Sequence, residues 1–210
     1  MQKFSIYIKS NKFYWTAEIK TYSFILFCCA LMLVKQKFLN IEENYIDKLF
    51  GWFAVCGFIF ALILKLYNLN KIEPLRGKLE GFISFEKESI TVGKEIYQIE
   101  TIRNIKISND DYIGKLVNFT KGNLGPALSN GINNSIIFFL ESNQSRKYQF
   151  ELIHSDDFQK VRHELINYHI YGKIEFDELA NVLGEKSRSE TAELKLEIEN
   201  KAKSLTAVLS

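Results

Sequence analysis

Cysteine and proline are scarce in this 210-residue chain, and no catalytic signature is present. The three cysteines, Cys28, Cys29 and Cys56, all fall within apolar runs. Residues 71–210 contain none, so a structural disulfide or a cysteine-based zinc site is excluded there. Inside the apolar runs a cysteine behaves as a small hydrophobe. With only two prolines, Pro74 and Pro126, there is no proline-rich linker, and neither a Gly/Ser tract nor an internal repeat is found. A net charge of +2 without a concentrated basic stretch argues against nucleic acid as a partner. H-E-x-x-H, Walker-type and G-x-S-x-G motifs are missing. The three histidines are His154, His163 and His169, and the last two stand six apart, off any shared helix face. No cofactor is expected.

What is present is divided unevenly. Residues 1–70 carry eight Lys or Arg against four Asp or Glu, whereas residues 71–210 carry nineteen against twenty-one. The long apolar runs also lie in the first part. Residues 22–34 are uncharged, and extension to 20–39 gives the length of a bilayer-spanning helix, with Lys35 and Lys37 positioned to snorkel. Residues 49–64 form a second uncharged run, extended by 65–69, with Tyr45, Trp52 and Tyr67 near its ends. The expectation is a two-helix transmembrane hairpin over residues 21–70. Three alternatives remain for these runs: a cleaved signal peptide, a buried globular helix, or a first segment that dips into the bilayer without crossing. Four Lys before the first run and four Lys or Arg after the second, against three between them, place both termini in the cytoplasm, on a bacterial inner membrane.

Residues 1–20 are expected as a juxtamembrane segment. Phe4-Ser5-Ile6-Tyr7-Ile8 alternates and Phe13-Tyr14-Trp15 follows a polar turn, which fits a short hairpin. An amphipathic helix over residues 12–20 fits equally well.

From residue 75 to 152 the period is that of strands: 78–85, 89–92, 95–99, 102–107, 134–140 and 147–152. In the fourth of these, Arg103 shares parity with the apolar Ile105 and Ile107, and in the third Ile96 is assigned an apolar contact. Residues 110–133, with four glycines and one proline, interrupt the pattern. This stretch is either a functional loop or a long connection that packs Tyr112, Leu116, Val117 and Phe119 on the sheet. Residues 155–168 then read as an amphipathic helix, with Ser155 as N-cap and Phe158, Val161, Leu165 and Tyr168 on one face. A short helix is expected within 173–184. A charged helix over 190–203 is left free to fold back, to pair with a second copy, or to fray.

Short antiparallel strands closed by one amphipathic helix resemble the pleckstrin-homology (PH) superfold, and two preceding spans resemble bacterial membrane-anchored PH-like proteins. The residues that carry this are Gly81-Phe82-Ile83, Ser89 to Val92, the phrase IYQIETIRNIKI at 96–107, Phe138-Phe139, Tyr148 to Phe150, and Phe158 to Tyr168. The resemblance implies an α+β chain: the hairpin, a PH-like antiparallel β sandwich or barrel over 71–171 closed by a helix, and a helical tail over 172–210. It implies a binding or scaffolding module without chemistry. Eukaryotic relatives that hold phosphoinositides carry several basic residues in the first turn, where this chain has Glu86-Lys87-Glu88-Ser89.

The function expected is therefore non-enzymatic: a platform at the membrane for a protein partner or for self-association. The alternative is a binder of anionic lipid headgroups or a small ligand through a basic rim of Lys115, Lys121, Arg146 and Lys147. The carboxylate pairs Asp110-Asp111 and Asp156-Asp157 read as a turn and a helix start, without a metal.

Overall fold

The computed structural model describes residues 2–38, 45–117 and 123–209. It is a mixed α+β structure that divides into two compact units: Met1–Ser10 with Leu75–Lys115 and Asn130–Ser210, and Asn11–Pro74 with Leu116–Ser129.

The first unit is built on one seven-stranded antiparallel sheet. Its strands are β1 (Lys3–Lys9), β2 (Gly77–Phe85), β3 (Ser89–Val92), β4 (Glu95–Gln98) and β5 (Ile102–Ser108), followed, after the short strands β6 (Ile113–Leu116) and β7 (Leu128–Asn130), by β8 (Asn134–Leu140) and β9 (Ser145–Phe150). The order across the sheet is β4-β3-β2-β1-β9-β8-β5. The alternation of Phe4, Ile6, Ile83, Phe85, Ile90, Val92, Ile136, Phe138 and Phe150 buries one face of it. Each such side chain contributes about 1.5–3 kcal/mol by leaving water.

The N-terminal segment departs from expectation. Lys3–Lys9 is not a juxtamembrane hairpin with Phe13 to Trp15. It is the central strand, paired with β2 from Lys3↔Ser84 to Lys9↔Gly77 and with β9 at Ile6↔Phe150 and Tyr7↔Gln149. The reason is burial. Phe4 is 2% exposed and stacks on Phe158 at 4.8 Å between centroids, edge-on to Phe85 and Phe150. No partner strand among residues 11–16 would offer that face; the next element begins at Ala17.

Two further parity problems are resolved locally. A register shift between Ile102 and Asn104 turns Arg103 outward, where its guanidinium donates to Asn143 Oδ1 at 3.0 Å, while Ile102, Ile105 and Ile107 all stay inside. In β4 it is Tyr97 that packs inward; Ile96 is 64% exposed.

Helices cover the apolar face. A 3-10 turn (Asp157–Val161) runs into α3 (Arg162–Ile170), and α4 (Phe176–Leu183) and α5 (Arg188–Leu209) follow; helices of the apolar-run region are α1 (Ala17–Phe38) and α2 (Tyr45–Asn68). Phe158, Val161, Leu165 and Tyr168 lie on one buried face as their spacing requires. Ser155 does not cap this segment. Asp157 supplies the acceptor instead, taking the His154 N–H at 2.8 Å and the Lys160 ammonium at 2.6 Å. α4 ends at Gly184, whose φ of 76° and the Glu185 N–H to Ala180 carbonyl bond close the helix end. α5 folds back: Leu194 is fully buried, Ile198 packs on the core, and Glu197 and Glu185 both hold Arg162.

The second unit holds α1 and α2, side by side. Thr16 Oγ1 caps α1 by accepting the Ile19 N–H. Gly57 faces Ile25, whose Cγ1 lies 2.9 Å from where a β-carbon would be, and Thr21, Ile25, Cys28, Ala54 and Ala61 are the buried residues of the pair. Both helices contain segments long and apolar enough to cross a membrane, Ala17–Val34 and Lys48–Asn68. Their outer faces expose Leu26, Phe27, Leu33, Phe58, Leu62 and Leu66.

Most of the glycine-rich stretch, Leu116–Ser129, belongs to the second unit. Leu124 donates its N–H to Glu18 in the first turn of α1 and accepts from Asn68 Nδ2 at the end of α2, so the helices run antiparallel. Leu124 and Ala127 are buried, whereas Leu116 and Val117 are exposed, and only Tyr112 of the expected set packs on the sheet core. Phe119 lies outside the described residues.

Candidate functional site

The first unit carries an open groove of 1170 Å³ on β1, β2, β3 and β9. Its shape follows from two local features. Between Ser5 and Tyr7 the β1–β2 register shifts by one, Glu80 and Gly81 together opposing Ile6, and Gly81 takes φ +80°. The two-residue β3–β4 turn uses Gly93 at φ +61°. A β-carbon at Gly81 would meet Gly93 Cα at 3.3 Å and Ile6 Cδ1 at 3.4 Å, so glycine here leaves the floor open. Ile6, Tyr7, Phe82 and Val92 give that floor an apolar centre.

The second feature is a ladder that stops early. Pairing of β1 with β9 ends at Tyr7↔Gln149, although β1 runs on to Lys9 and β9 begins at Ser145. Two residues further along the same register, Lys9 would oppose Lys147. Like charges directly opposite disfavour pairing, and both lysines line the groove with Lys3 and Lys94.

The carboxylates at the groove are already engaged. Glu80 pairs with Lys78. Glu95 accepts hydrogen bonds from the Tyr97 and Tyr148 hydroxyls, the latter at 2.7 Å, and the two hydroxyls stand 2.5 Å apart. The Tyr97 hydroxyl foremost, then that of Tyr148, holds the Glu95 carboxyl below its ordinary range. Burial, with the neighbouring Tyr97 and Glu95, pushes the Tyr148 phenol above its ordinary value. Lys3 sits 5.9 Å from the Phe82 ring centroid.

Of the four basic residues expected to form a rim, only Lys147 lines this groove. Arg146, its neighbour on β9, does not line it, although its charge acts on Glu95. Lys115 lies on β6 with its ammonium on the Asp110 carbonyl. Lys121 lies outside the described residues. Lys3, Lys9 and Lys94 were missed by sequence reasoning. The outward set Lys3, Ser5, Tyr7 and Lys9 becomes legible once 3–9 is read as a strand rather than as a lead into the membrane.

Among the described residues no group of three His, Cys, Asp or Glu gathers as a metal site. Asp111 accepts the Asn133 N–H at 3.0 Å, and Asp157 is held by Lys160. His169 contacts the Ile174 carbonyl at 2.7 Å through Nδ1. Comparison with protein-family models, with curated proteins and with solved structures returned no match.

Proposed function

We propose that this is a two-span membrane protein of a bacterial inner membrane, with both termini cytoplasmic, whose β domain is a non-enzymatic platform for a protein partner. The observation that carries the platform reading is the open groove, which has an apolar floor and basic banks. The membrane reading is supported by the large apolar side chains exposed along both faces of the α1–α2 pair, more than a soluble protein leaves to water. A same-side arrangement is supported by strand pairing. β1 precedes α1, β2 follows α2, and the two hydrogen-bond to each other, so an odd number of crossings between them is unworkable. The PH-like plan is supported by the β1–β4 meander, the β5–β8–β9 meander and the helix that follows.

Photo-crosslinking tests the platform. With benzoylphenylalanine at Phe82, which is 52% exposed, the full chain in its host membrane is expected to form a protein adduct; the same group at Leu196, 60% exposed on α5, is not. Absence of any Phe82 adduct refutes the platform. Impermeant labelling of single cysteines at Glu43 and Ser187 in a Cys-free chain reads orientation: reaction at position 43 alone is expected, and reaction at 187 puts the domain outside.

A further inference from the structure

We infer that the groove takes an extended peptide segment whose acidic residues flank an apolar centre. This rests on the platform reading above and adds the chemistry of the partner.

Three observations converge on it. The first is length. Lys3 and Lys9 mark the ends of β1, six residues apart, and a strand advances about 3.3 Å per residue. The groove is thus about 20 Å long, the span of an extended peptide of about six to eight residues. A single phosphate headgroup would occupy one end of such a channel.

The second is the distribution of charge. Lys3 and Lys9 lie at the two ends of β1, Lys147 on β9 lines the same groove two residues before the last paired position, and Lys94 lies on the β3–β4 turn. Glu80 and Glu95, the acids of the same lining, are held by Lys78 and by two tyrosine hydroxyls. No ion pair within 4 Å is formed by Lys9, Lys94 or Lys147 among the described residues. Carboxylates placed at the two ends of a ligand would meet these ammonium groups, while Phe82, 52% exposed, would take apolar side chains between them above a largely buried floor of Ile6, Tyr7 and Val92. A uniformly anionic surface would leave that apolar centre unmatched.

The third is the unfinished ladder. Beyond Tyr7↔Gln149 the strands β1 and β9 no longer pair, and continuing their register would set Lys9 opposite Lys147, an arrangement that like charge disfavours. A carboxylate between the two ammonium groups removes that repulsion, which makes the groove more favourable when filled than when empty. Charge of this kind sets partner choice and encounter rate.

The test uses the full chain in nanodiscs of phosphatidylcholine and fluorescence anisotropy of two labelled peptides of about eight residues. One has two glutamates at each end of an alternating Val-Thr centre; the other has lysines in place of the glutamates. Saturable binding of the acidic peptide alone is expected. The K9E/K147E double variant is expected to weaken it by about tenfold or more, K9Q/K147Q by less, and raised salt is expected to weaken the wild type. K115E, away from the groove, is expected to bind as wild type does. Lys9 and Lys147 are exposed and Lys115 is half-buried, and unchanged urea midpoints are expected to show that the fold is intact. Equal binding of the two peptides, or an unchanged affinity in K9E/K147E, overturns the inference. So does full displacement of the acidic peptide by phosphatidylglycerol in the nanodisc, which would assign the groove to headgroups. A Phe82 photo-adduct that persists in K9E/K147E would leave the platform standing while this inference falls; loss of every adduct in the wild type would remove both.

Discussion

The placement of residues 3–9 in the middle of the sheet is open to a direct energetic test with Phe4→Ala. A phenylalanine buries about 150–250 Å², and at about 25 cal/mol per Å² that is worth about 4–6 kcal/mol. Alanine retains part of this, and the loss of the stacked and edge contacts to Phe158, Phe85 and Phe150 adds to the cost. The expected destabilisation is about 4 kcal/mol, within the range for such truncations. Against a domain stability of about 5–15 kcal/mol this is a large fraction. With a urea slope of about 2 kcal/mol per molar, the midpoint falls by about 2 M. Tryptophan fluorescence would miss it, because Trp15 and Trp52 both belong to the other unit. Pulse proteolysis of the full chain in mild detergent reports the β domain directly. Phe13→Ala, at a side chain 72% exposed, serves as the control and is expected to shift stability by no more than about 0.5 kcal/mol. If Phe4→Ala moved the midpoint no further than Phe13→Ala, strand β1 would not be part of the core.

Three more outcomes follow from the packing. Gly57→Leu drives a side chain into Ile25 and is expected to part the apolar helices, seen as faster maleimide labelling of Cys28, now 2% exposed. Leu194→Ala should cost about 2–5 kcal/mol and release α5, read as early proteolytic cleavage between α4 and α5. Asp157 supplies a pH signature. Burial raises its pKa, but the Lys160 ammonium and the His154 N–H outweigh that and hold the carboxyl below its ordinary value. Its folded-state pKa is depressed, so its contribution is complete above the unfolded value of about 3.9 and is lost as pH falls through the lower folded value. Asp157→Asn is therefore expected to lower stability at neutral pH and to flatten the loss of stability below about pH 4 in acid unfolding curves.

Much of this molecule is written in local period. An uncharged run near the length of a bilayer span reads as a helix in α1 and α2, because a helix satisfies every backbone group within its own segment. Alternation placed β2, β3, β5 and β8 within a residue or two, and the spacing of Phe158, Val161, Leu165 and Tyr168 identified the face that meets the sheet. Other features depended on partners remote in sequence. Arg103 has the parity of a buried residue and escapes it through a bulge that only the β8 register reveals. Leu194 looks like a stray apolar position on a charged helix until the fold buries it in the core cluster. The rim of Lys115, Lys121, Arg146 and Lys147 supposed that the long loop and the turn before β9 lie together, whereas the groove draws Lys3 and Lys9 from β1, Lys94 from the β3–β4 turn and Lys147 from β9. What the amino-acid order determined alone was which segments are helical, which extended and which face of each is apolar, since these depend on neighbours within a few positions. Only the tertiary structure decided that β1 and β2 close across the inserted helices, and hence where the groove lies, because strand pairing joins backbones some 70 residues apart and leaves no periodic mark on either of them.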